Sequence, residues 1–235
     1  MIFRQFHAAD GQLSYLFADS ITRQAAVLDS HLSLEHDYLE VIRSLDLKLV
    51  FAIETHAHES HFSAAPMLCK ETGAHWIMSS LVANSVEARP VEHGECVFIG
   101  EEYFRALETP GHSACSMCFL WRDCVFTGHT LLAGRTGDCG RPDADALKLY
   151  ESITGNLYVL PEGTRVYPGL DFAGCVKSTI GHECEQNFEL NTGTDKEHFV
   201  KIKRQASAPA RGTEPQTIAG YPGPGLYPFR KVSST

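Results

Sequence analysis

The sequence predicts an α/β fold in which two β-rich halves form a sandwich covered by helices. Short apolar runs with strand character alternate along the chain with segments whose apolar residues recur at helical spacing. Turn-forming pairs such as Asp10-Gly11 and Asp19-Ser20 separate the first runs. A chain of 235 residues that is 43% hydrophobic can bury one large core. We therefore expect one large domain rather than two.

The first half of the chain predicts an antiparallel opening followed by helices and strands in alternation. Residues 3–8, 13–18 and 24–28 are β-prone runs broken by the two turns. Apolar side chains recur at helical spacing from Leu34 to Leu45, with Ser33 as the expected N-cap. Residues 48–53 then predict a buried strand, followed by a helix to about residue 72 and a strand at 75–78.

The second half predicts further strands and two helices, and it ends in a tail. Strands are expected near residues 103–107, 117–121, 124–126 and 165–167, and helices at 143–153 and 195–203. Residues 205–235 hold five of the eleven prolines, so no regular element is expected there. The sequence thus predicts a catalytic domain at residues 1–204 and a Pro/Gly-rich tail at 205–235.

Charge and composition exclude several classes of function. The formal net charge of −9 argues against a nucleic-acid partner, because phosphate binding needs a basic face. No segment approaches the ~20 apolar residues of a membrane span, and the first residues do not have the pattern of an export signal. A cytoplasmic location is therefore expected, with most of the eight cysteines reduced and serving as small core residues.

Four histidines stand at the predicted ends of strands. His56 and His58 flank one residue after the strand at 48–53, His112 ends a Thr-Pro-Gly-His turn, and His129 ends Thr-Gly-His. Any one of them alone would fit a surface or core imidazole. Together they predict a metal site, because imidazole is the commonest protein ligand for zinc and iron. Seven others have no such setting and are expected to be structural or solvated: His7, His31, His36, His75, His93, His182 and His198.

The cysteines offer weaker candidates for a site. Cys115 and Cys118 form a Cys-x-x-Cys pair, but strand alternation places the two side chains on opposite faces. A zinc-ribbon or redox role is therefore the less favoured interpretation. Cys139 is the thiol nearest to the expected pocket and is a candidate for a substrate contact.

The motif Thr-His-Ala-His-Glu-Ser-His at residues 55–61 resembles the Thr-His-x-His-x-Asp-His motif of the metallo-β-lactamase superfamily. The Pro-Gly-His, Thr-Gly-His and Tyr-Pro-Gly-Leu segments fall where that superfamily has its later ligands. Within it, the closest resemblance is to persulfide dioxygenases, the iron enzymes related to glyoxalase II, because Cys139-Gly140-Arg141 and the segment from Thr179 to Asn187 look like their later motifs. The resemblance implies an αββα sandwich, two mixed β-sheets flanked by helices, with one iron bound by His56, His112 and His129.

The chain also departs from the motifs of its dinuclear relatives. At positions that would serve a second metal it has Ser60, His129 and Leu170. Leucine cannot ligate a metal, and an imidazole cannot bridge two metals as a carboxylate does, so we expect one metal per chain. Phe172 stands in place of the tyrosine that glyoxalase II relatives use near glutathione, which leaves open whether glutathione is the carrier.

These observations predict a mononuclear non-haem iron oxygenase that uses O₂ on the sulfur of a small anionic thiol, persulfide or thiocarboxylate. His58 and His61 would orient the ligands or hydrogen-bond the oxygen, and Arg141 would pair with a substrate carboxylate. Three imidazoles also suit zinc, which would make the protein a thioester hydrolase similar to glyoxalase II. A third alternative is a non-catalytic metal-binding protein. The sequence leaves a homodimer open.

Overall fold

The computed structural model describes residues 1–58, 61–172 and 174–206. Its strands, numbered in chain order, are β1 (Ile2–His7), β2 (Leu13–Ala18), β3 (Gln24–Leu28), β4 (Lys48–Ile53), β5 (His75–Ser79), β6 (Arg89–Val91), β7 (Cys96–Ile99), β8 (Glu102–Glu108), β9 (Met117–Trp121), β10 (Cys124–Gly128), β11 (Leu131–Leu132), β12 (Arg135–Thr136), β13 (Arg165–Pro168) and β14 (Ser178–Thr179). Its α-helices are α1 (Glu35–Ser44), α2 (Ala65–Thr72), α3 (Ser80–Ala83), α4 (Ala146–Ser152), α5 (Ile180–Gln186) and α6 (Lys196–Ala206).

Two mixed sheets of six strands each form the centre of the fold. The first has the order β1-β2-β3-β4-β5-β6, antiparallel from β1 to β3 and parallel from β3 to β6. The second has the order β14-β13-β10-β9-β8-β7, in which only β10 and β13 are parallel neighbours. Strands β11 and β12 form a separate short hairpin.

The inner faces of the two sheets enclose an aromatic core. The run Leu13–Ala18 is buried along its whole length because β2 has one face toward this core and the other toward helices. Phe17 of β2 lies 4.8 Å from Phe104 and 4.7 Å from Phe126, measured between ring centroids, and both contacts are edge-on. Such aromatic pairs bury large apolar areas and pack favourably in this geometry. They fix the two sheets against each other.

Helices cover both outer faces. Tyr38 of α1 and Leu68 of α2 pack with Leu16 and Val27 on the first sheet. Leu149 of α4 and Phe199 of α6 belong to the cluster on the outer face of the second sheet. The resulting order of layers is helix, sheet, sheet, helix. This confirms the predicted αββα sandwich.

Several helix ends differ from the expected ones. A 3₁₀ turn at Leu32–Leu34 precedes α1, and its cap is the side chain of His31, which accepts a hydrogen bond from the backbone of Ser33. The expectation that Ser33 caps the helix is therefore wrong. Asp145 caps α4 by accepting from the backbone of Leu147, and one π-helical turn at Ile153–Leu157 continues that helix.

The last helix crosses the predicted domain boundary. It runs to Ala206, two residues beyond the boundary expected at 204. Residues 207–235 lie outside the described part of the chain, so the division into domain and tail stays a prediction. Among the helices in the described ranges, none combines the length and the apolar character needed to cross a membrane.

Candidate metal centre

The predicted ligands come together because several strands end at one edge of the sandwich. Strands β8, β10 and β13 run in the same direction, since β9 is antiparallel to both β8 and β10, and β10 is parallel to β13. His112 lies in the loop after β8, and His129 follows β10 directly. A backbone hydrogen bond of 2.7 Å from Met117 N to Thr55 O ties the loop after β4 to this edge. His56 is thereby brought over from the other sheet.

Gly128 allows the end of β10 to approach Thr55 closely at this edge. Its φ is +49°, and a Cβ built on it would lie 2.3 Å from Oγ1 of Thr55. A larger residue would therefore both strain the backbone and push Thr55 away. Because Gly128 takes this position, the rings of His56 and His129 lie 4.8 Å apart between centroids.

Three histidines form the centre of the site. His56, His112 and His129 each offer one ring nitrogen, and these atoms all lie within 4.8 Å of one another. The other two pairs of rings, His56 with His112 and His112 with His129, are each 5.1 Å apart between centroids and edge-on. The structure thus brings together the residues that the sequence predicts as ligands.

Hydrogen bonds leave Nε2 of His56 and His112 with a lone pair. Thr55 Oγ1 donates to the carboxylate of Asp29 at 2.8 Å, so it accepts from Nδ1 of His56, 2.9 Å away. Nδ1 of His112 lies 2.9 Å from the carbonyl oxygen of Asp138, which can only accept. In both rings Nδ1 therefore carries the proton, and Nε2 is the nitrogen available to a metal.

Burial keeps these imidazoles neutral. It is the largest cause that lowers the pKa of His56, His112 and His129, and the neighbouring rings lower the pKa of His56 and His129 further. Neutral imidazole is the form that binds a metal. Three neutral nitrogen donors fit Fe²⁺ or Zn²⁺, and the site fits either ion by its donor chemistry.

The histidines line a cavity of about 360 Å³. Gln12, Arg141 and Leu170 also line it. Leu170 stands at the position where the resemblance implies a late histidine in dinuclear members, and its side chain gives the cavity an apolar wall. The predicted absence of a ligand from Ser60 lies outside the described residues and stays a prediction.

His58 and His61 lie behind His56 and are not among the residues that line the cavity. The ring of His58 is 4.3 Å from that of His56 and 4.2 Å from that of His61 between centroids. Nε2 of His58 contacts Glu54 at 2.6 Å and Asp29 at 3.5 Å. Burial opposes a charge on His58, but the two carboxylates outweigh it and raise the pKa of His58 to about 9.

Asp29, Glu54 and His58 also have metal-ligating atoms within 4.8 Å of one another. These atoms already have partners in the protein. Asp29 accepts from both the backbone and the side chain of Thr55, and Glu54 accepts from His58 and Ser63. The protonated His58 compensates one of the two buried carboxylates, so this group resembles a hydrogen-bonded support for the loop after β4.

Arg141 lines the cavity and ties the surrounding loops together. Its guanidinium donates to Asp143 at 3.1 Å and to the carbonyl of Ala57 at 2.9 Å. The other oxygen of Asp143 accepts from the backbone of Ala114 at 2.7 Å. Arg141 therefore holds the residue between His56 and His58 in place. Its predicted pairing with a substrate carboxylate stays a prediction.

The side chains of the cysteine candidates are not among those that line the cavity. Cys139 packs against the cluster under the outer helices, and its Sγ is 4.0 Å from the carbonyl oxygen of Gly111. It is not among the residues that line the cavity. Cys115 and Cys118 belong to different apolar clusters, which agrees with their expected opposite faces.

The sequence did not predict the residues whose hydrogen bonds orient the histidine side chains. Asp29 and Thr55 end neighbouring strands of the first sheet, and Gln12 reaches His129 from the turn between β1 and β2. No local spacing joins Asp29 or Gln12 to the histidines. Only the Thr directly before His56 gave a signal, since it is part of the recognised motif.

A model of the metallo-β-lactamase superfamily matches residues 8–169, more than half of the chain. The chain belongs to this superfamily. Its relatives there include two kinds of enzyme. Persulfide dioxygenase ETHE1 of Mus musculus is 28% identical over 211 residues, which cover 87% of this chain and 79% of that protein. The probable polyketide biosynthesis zinc-dependent hydrolase BaeB of Bacillus velezensis is 28% identical over 208 residues, covering 86% of this chain and 91% of the hydrolase.

A solved structure extends the likeness to dioxygenases. The crystal structure of ETHE1 from Myxococcus xanthus matches with a TM-score of 0.86 and 35% sequence identity. The match covers 89% of this chain and 92% of that one. This member of the superfamily is therefore similar to persulfide dioxygenases over nearly all of its length, as the sequence motifs predict.

Proposed function

We propose that this protein is a mononuclear non-haem iron oxygenase that acts on the sulfur of a small anionic thiol, persulfide or thiocarboxylate. The observation that carries the proposal is the cluster of His56, His112 and His129 in a chain similar to persulfide dioxygenases. Bound iron would supply open coordination positions for the sulfur and O₂ and a path for electrons from the sulfur, which is oxidised, to O₂, which is reduced. For a persulfide, the balanced reaction with O₂ and water gives a thiol, sulfite and two protons.

The protein's own residues prepare the site for this chemistry. Asp29 through Thr55, and the carbonyl of Asp138, orient two of the imidazoles. Leu170 and Leu132 line the cavity with apolar surface, which limits the access of water to the sulfur. Three neutral donors leave the full +2 charge of the metal, and this favours an anionic substrate.

Arg135 adds a cationic side chain beside the cavity, besides the metal and Arg141. Arg135 is exposed and pairs with Leu132 across the hairpin of β11 and β12. Its guanidinium carbon is 4.2 Å from the centroid of the Phe172 ring, a cation–π contact that holds the long side chain in place. Because Leu132 lines the cavity, Arg135 is placed to attract the anionic end of a substrate whose sulfur faces the histidines.

Zinc-dependent hydrolysis of a thioester is the second candidate function. Three imidazoles suit zinc as well as iron, and the hydrolase relative from Bacillus velezensis is named as zinc-dependent. With zinc, the site would activate water instead of O₂. The third alternative, a metal-binding protein without catalysis, predicts neither reaction.

The proposal includes O₂ and a small sulfur compound as partners and a reducing compartment such as the cytoplasm. All eight cysteines are free thiols, five of them half-buried or exposed. Such cysteines persist in compartments that keep thiols reduced.

Oxygen consumption tests the proposal against its alternatives. Protein purified without oxygen would be loaded with Fe²⁺ or with Zn²⁺, and then given thiols, persulfides, thiocarboxylates and thioesters. We expect O₂ uptake with at least one sulfur anion by the iron form only, with sulfite formed in a one-to-one ratio if a persulfide is the substrate. Thioester hydrolysis by the zinc form, with no O₂ uptake by the iron form, would establish the hydrolase instead.

A further inference from the structure

Gln12 is held rigidly beside the third histidine. It lies in the turn between β1 and β2, where its carbonyl accepts from Ala8 N at 2.9 Å and its own N–H donates to Asp10 at 3.2 Å. It also forms an isolated antiparallel bridge with Leu170. Its side chain is buried, lines the cavity, and brings Oε1 to 3.0 Å from Nε2 of His129.

We propose that Gln12 is a positioning residue that sets the tautomer of His129. The amide oxygen of Gln12 accepts the proton of Nε2, so the lone pair of His129 is on Nδ1 and is the one offered to the metal. His129 thus binds through the nitrogen opposite to that used by His56 and His112. The inference rests on the metal site proposed above, and it does not depend on the oxygenase chemistry.

Gly169 leaves room for the contact between Gln12 and His129. A Cβ on Gly169 would lie 3.1 Å from Cδ2 of His129, the ring carbon bonded to Nε2, so a larger residue would crowd this edge of the ring. The glycine therefore lets the ring keep the orientation in which Nε2 meets Oε1 of Gln12.

The opposite orientation of the Gln12 amide would place the proton of His129 on the other ring nitrogen. If the amide NH₂ of Gln12 faced the ring, Nε2 would use its lone pair to accept that hydrogen bond, and Nδ1 would carry the proton. His129 would then have no lone pair left for a metal. In the carbonyl orientation Nδ1 keeps its lone pair, so His129 can contribute a ligand to the cluster with His56 and His112.

The tautomer can be measured without metal and without a substitution. In two-bond ¹H–¹⁵N correlation spectra of metal-free protein labelled at histidine, we expect His129 as the Nε2–H tautomer, and His56 and His112 as Nδ1–H tautomers. Assignment would come from single histidine variants. An Nδ1–H tautomer of His129 in the native protein would overturn the inference, whatever the metal or the reaction.

Two substitutions at one position separate positioning from packing. Gln12→Leu should shift His129 toward the Nδ1–H tautomer and weaken zinc affinity by roughly 10–100-fold, the range typical of losing such an outer partner. Gln12→Glu keeps an acceptor for Nε2 of His129 and should retain both the Nε2–H tautomer and the zinc affinity. Gln5→Leu, in the half-buried part of β1, serves as the matched control and should change neither. An unchanged tautomer with unchanged zinc affinity in Gln12→Leu would contradict the proposal.

Because zinc and the metal-free protein are used, the outcome is independent of oxygen uptake. Loss of the oxygenase activity alone would count against the proposed function, while the tautomer and the zinc affinity would still decide the role of Gln12.

Discussion

At the scale of single residues, the position of a histidine in the fold decides whether it can hold a metal. His112 is buried, and its Nδ1 is fixed by the carbonyl of Asp138, whereas His75 is exposed in β5. His112→Ala should weaken metal binding by more than the roughly 10–100-fold typical of losing an outer partner, because it removes a ligand. His75→Ala should leave it unchanged.

Elemental analysis after gel filtration would compare the two variants. Equal metal content in both would remove the reason for assigning His112 to the site.

His129 stands where the resemblance to persulfide dioxygenases implies an aspartate ligand. His129→Asp should still bind iron, because the Oδ of an aspartate, like Nδ1, is bonded to Cγ and has similar reach. The net charge of the metal and its ligands would fall from +2 to +1. We expect turnover of the native anionic substrate to fall by about tenfold or more. Unchanged kinetics together with an unchanged metal spectrum would show that His129 does not touch the metal.

Arg135 provides a test of the substrate's charge. Arg135→Ala should raise the KM for an anionic persulfide roughly fivefold, which corresponds to about 1 kcal/mol for one charge contact near water, and should leave kcat nearly unchanged. Arg105, exposed on β8, offers the control substitution. Steady-state kinetics would compare an anionic with a neutral substrate. An equal rise in KM for both substrates would rule out a charge effect.

At the scale of elements, α6 is docked by one buried lysine. Nζ of Lys203 donates to Glu189 at 2.6 Å and to the carbonyl of Thr136 at 3.2 Å. Burial raises the pKa of Glu189, but Lys203 and Thr136 outweigh it, so the pKa is lowered from 4.5. A carboxyl group with a lowered pKa contributes stability above its unfolded pKa, and that stability is lost as the pH falls through the folded value.

Lys203→Met should therefore lower the free energy of unfolding by roughly 1–3 kcal/mol at pH 7, because a buried carboxylate loses its partner. The difference in the free energy of unfolding between this variant and the native protein should shrink as the pH falls below 4.5. Urea unfolding at several pH values would measure it, with Lys201→Met on the exposed side of α6 as the control. A constant difference from pH 7 to pH 3 would argue against the role of Glu189.

The elements also show how far the sequence could predict the fold. Strands with buried, continuous apolar runs, such as β2 and β10, were predicted to within one or two residues. The strand β6 was missed because Pro90 cannot donate to a ladder, and it is tolerated here only at the sheet edge. The strand β7 was missed because it is short, has an exposed Phe98, and also lies at an edge.

At the scale of the whole molecule, the site depends on the register of the two sheets. The aromatic core sets that register, and Gly128 and Gly169 let the strand ends approach. Motif spacing placed four histidines at strand ends, His58 among them, and the family resemblance was needed to select His56, His112 and His129. Spacing could not predict Gln12 or Asp29, because their contacts cross between distant segments that only the folded sandwich brings together.

The site is proposed to bind one metal per chain through three imidazoles. The most direct measurement combines elemental analysis with X-ray absorption of protein loaded separately with iron and with zinc. We predict one metal per chain and, for zinc, three nitrogen neighbours at about 2.0–2.1 Å with the signature of imidazole. Two tightly bound metals, or coordination dominated by carboxylates such as those of Asp29 and Glu54, would contradict the account.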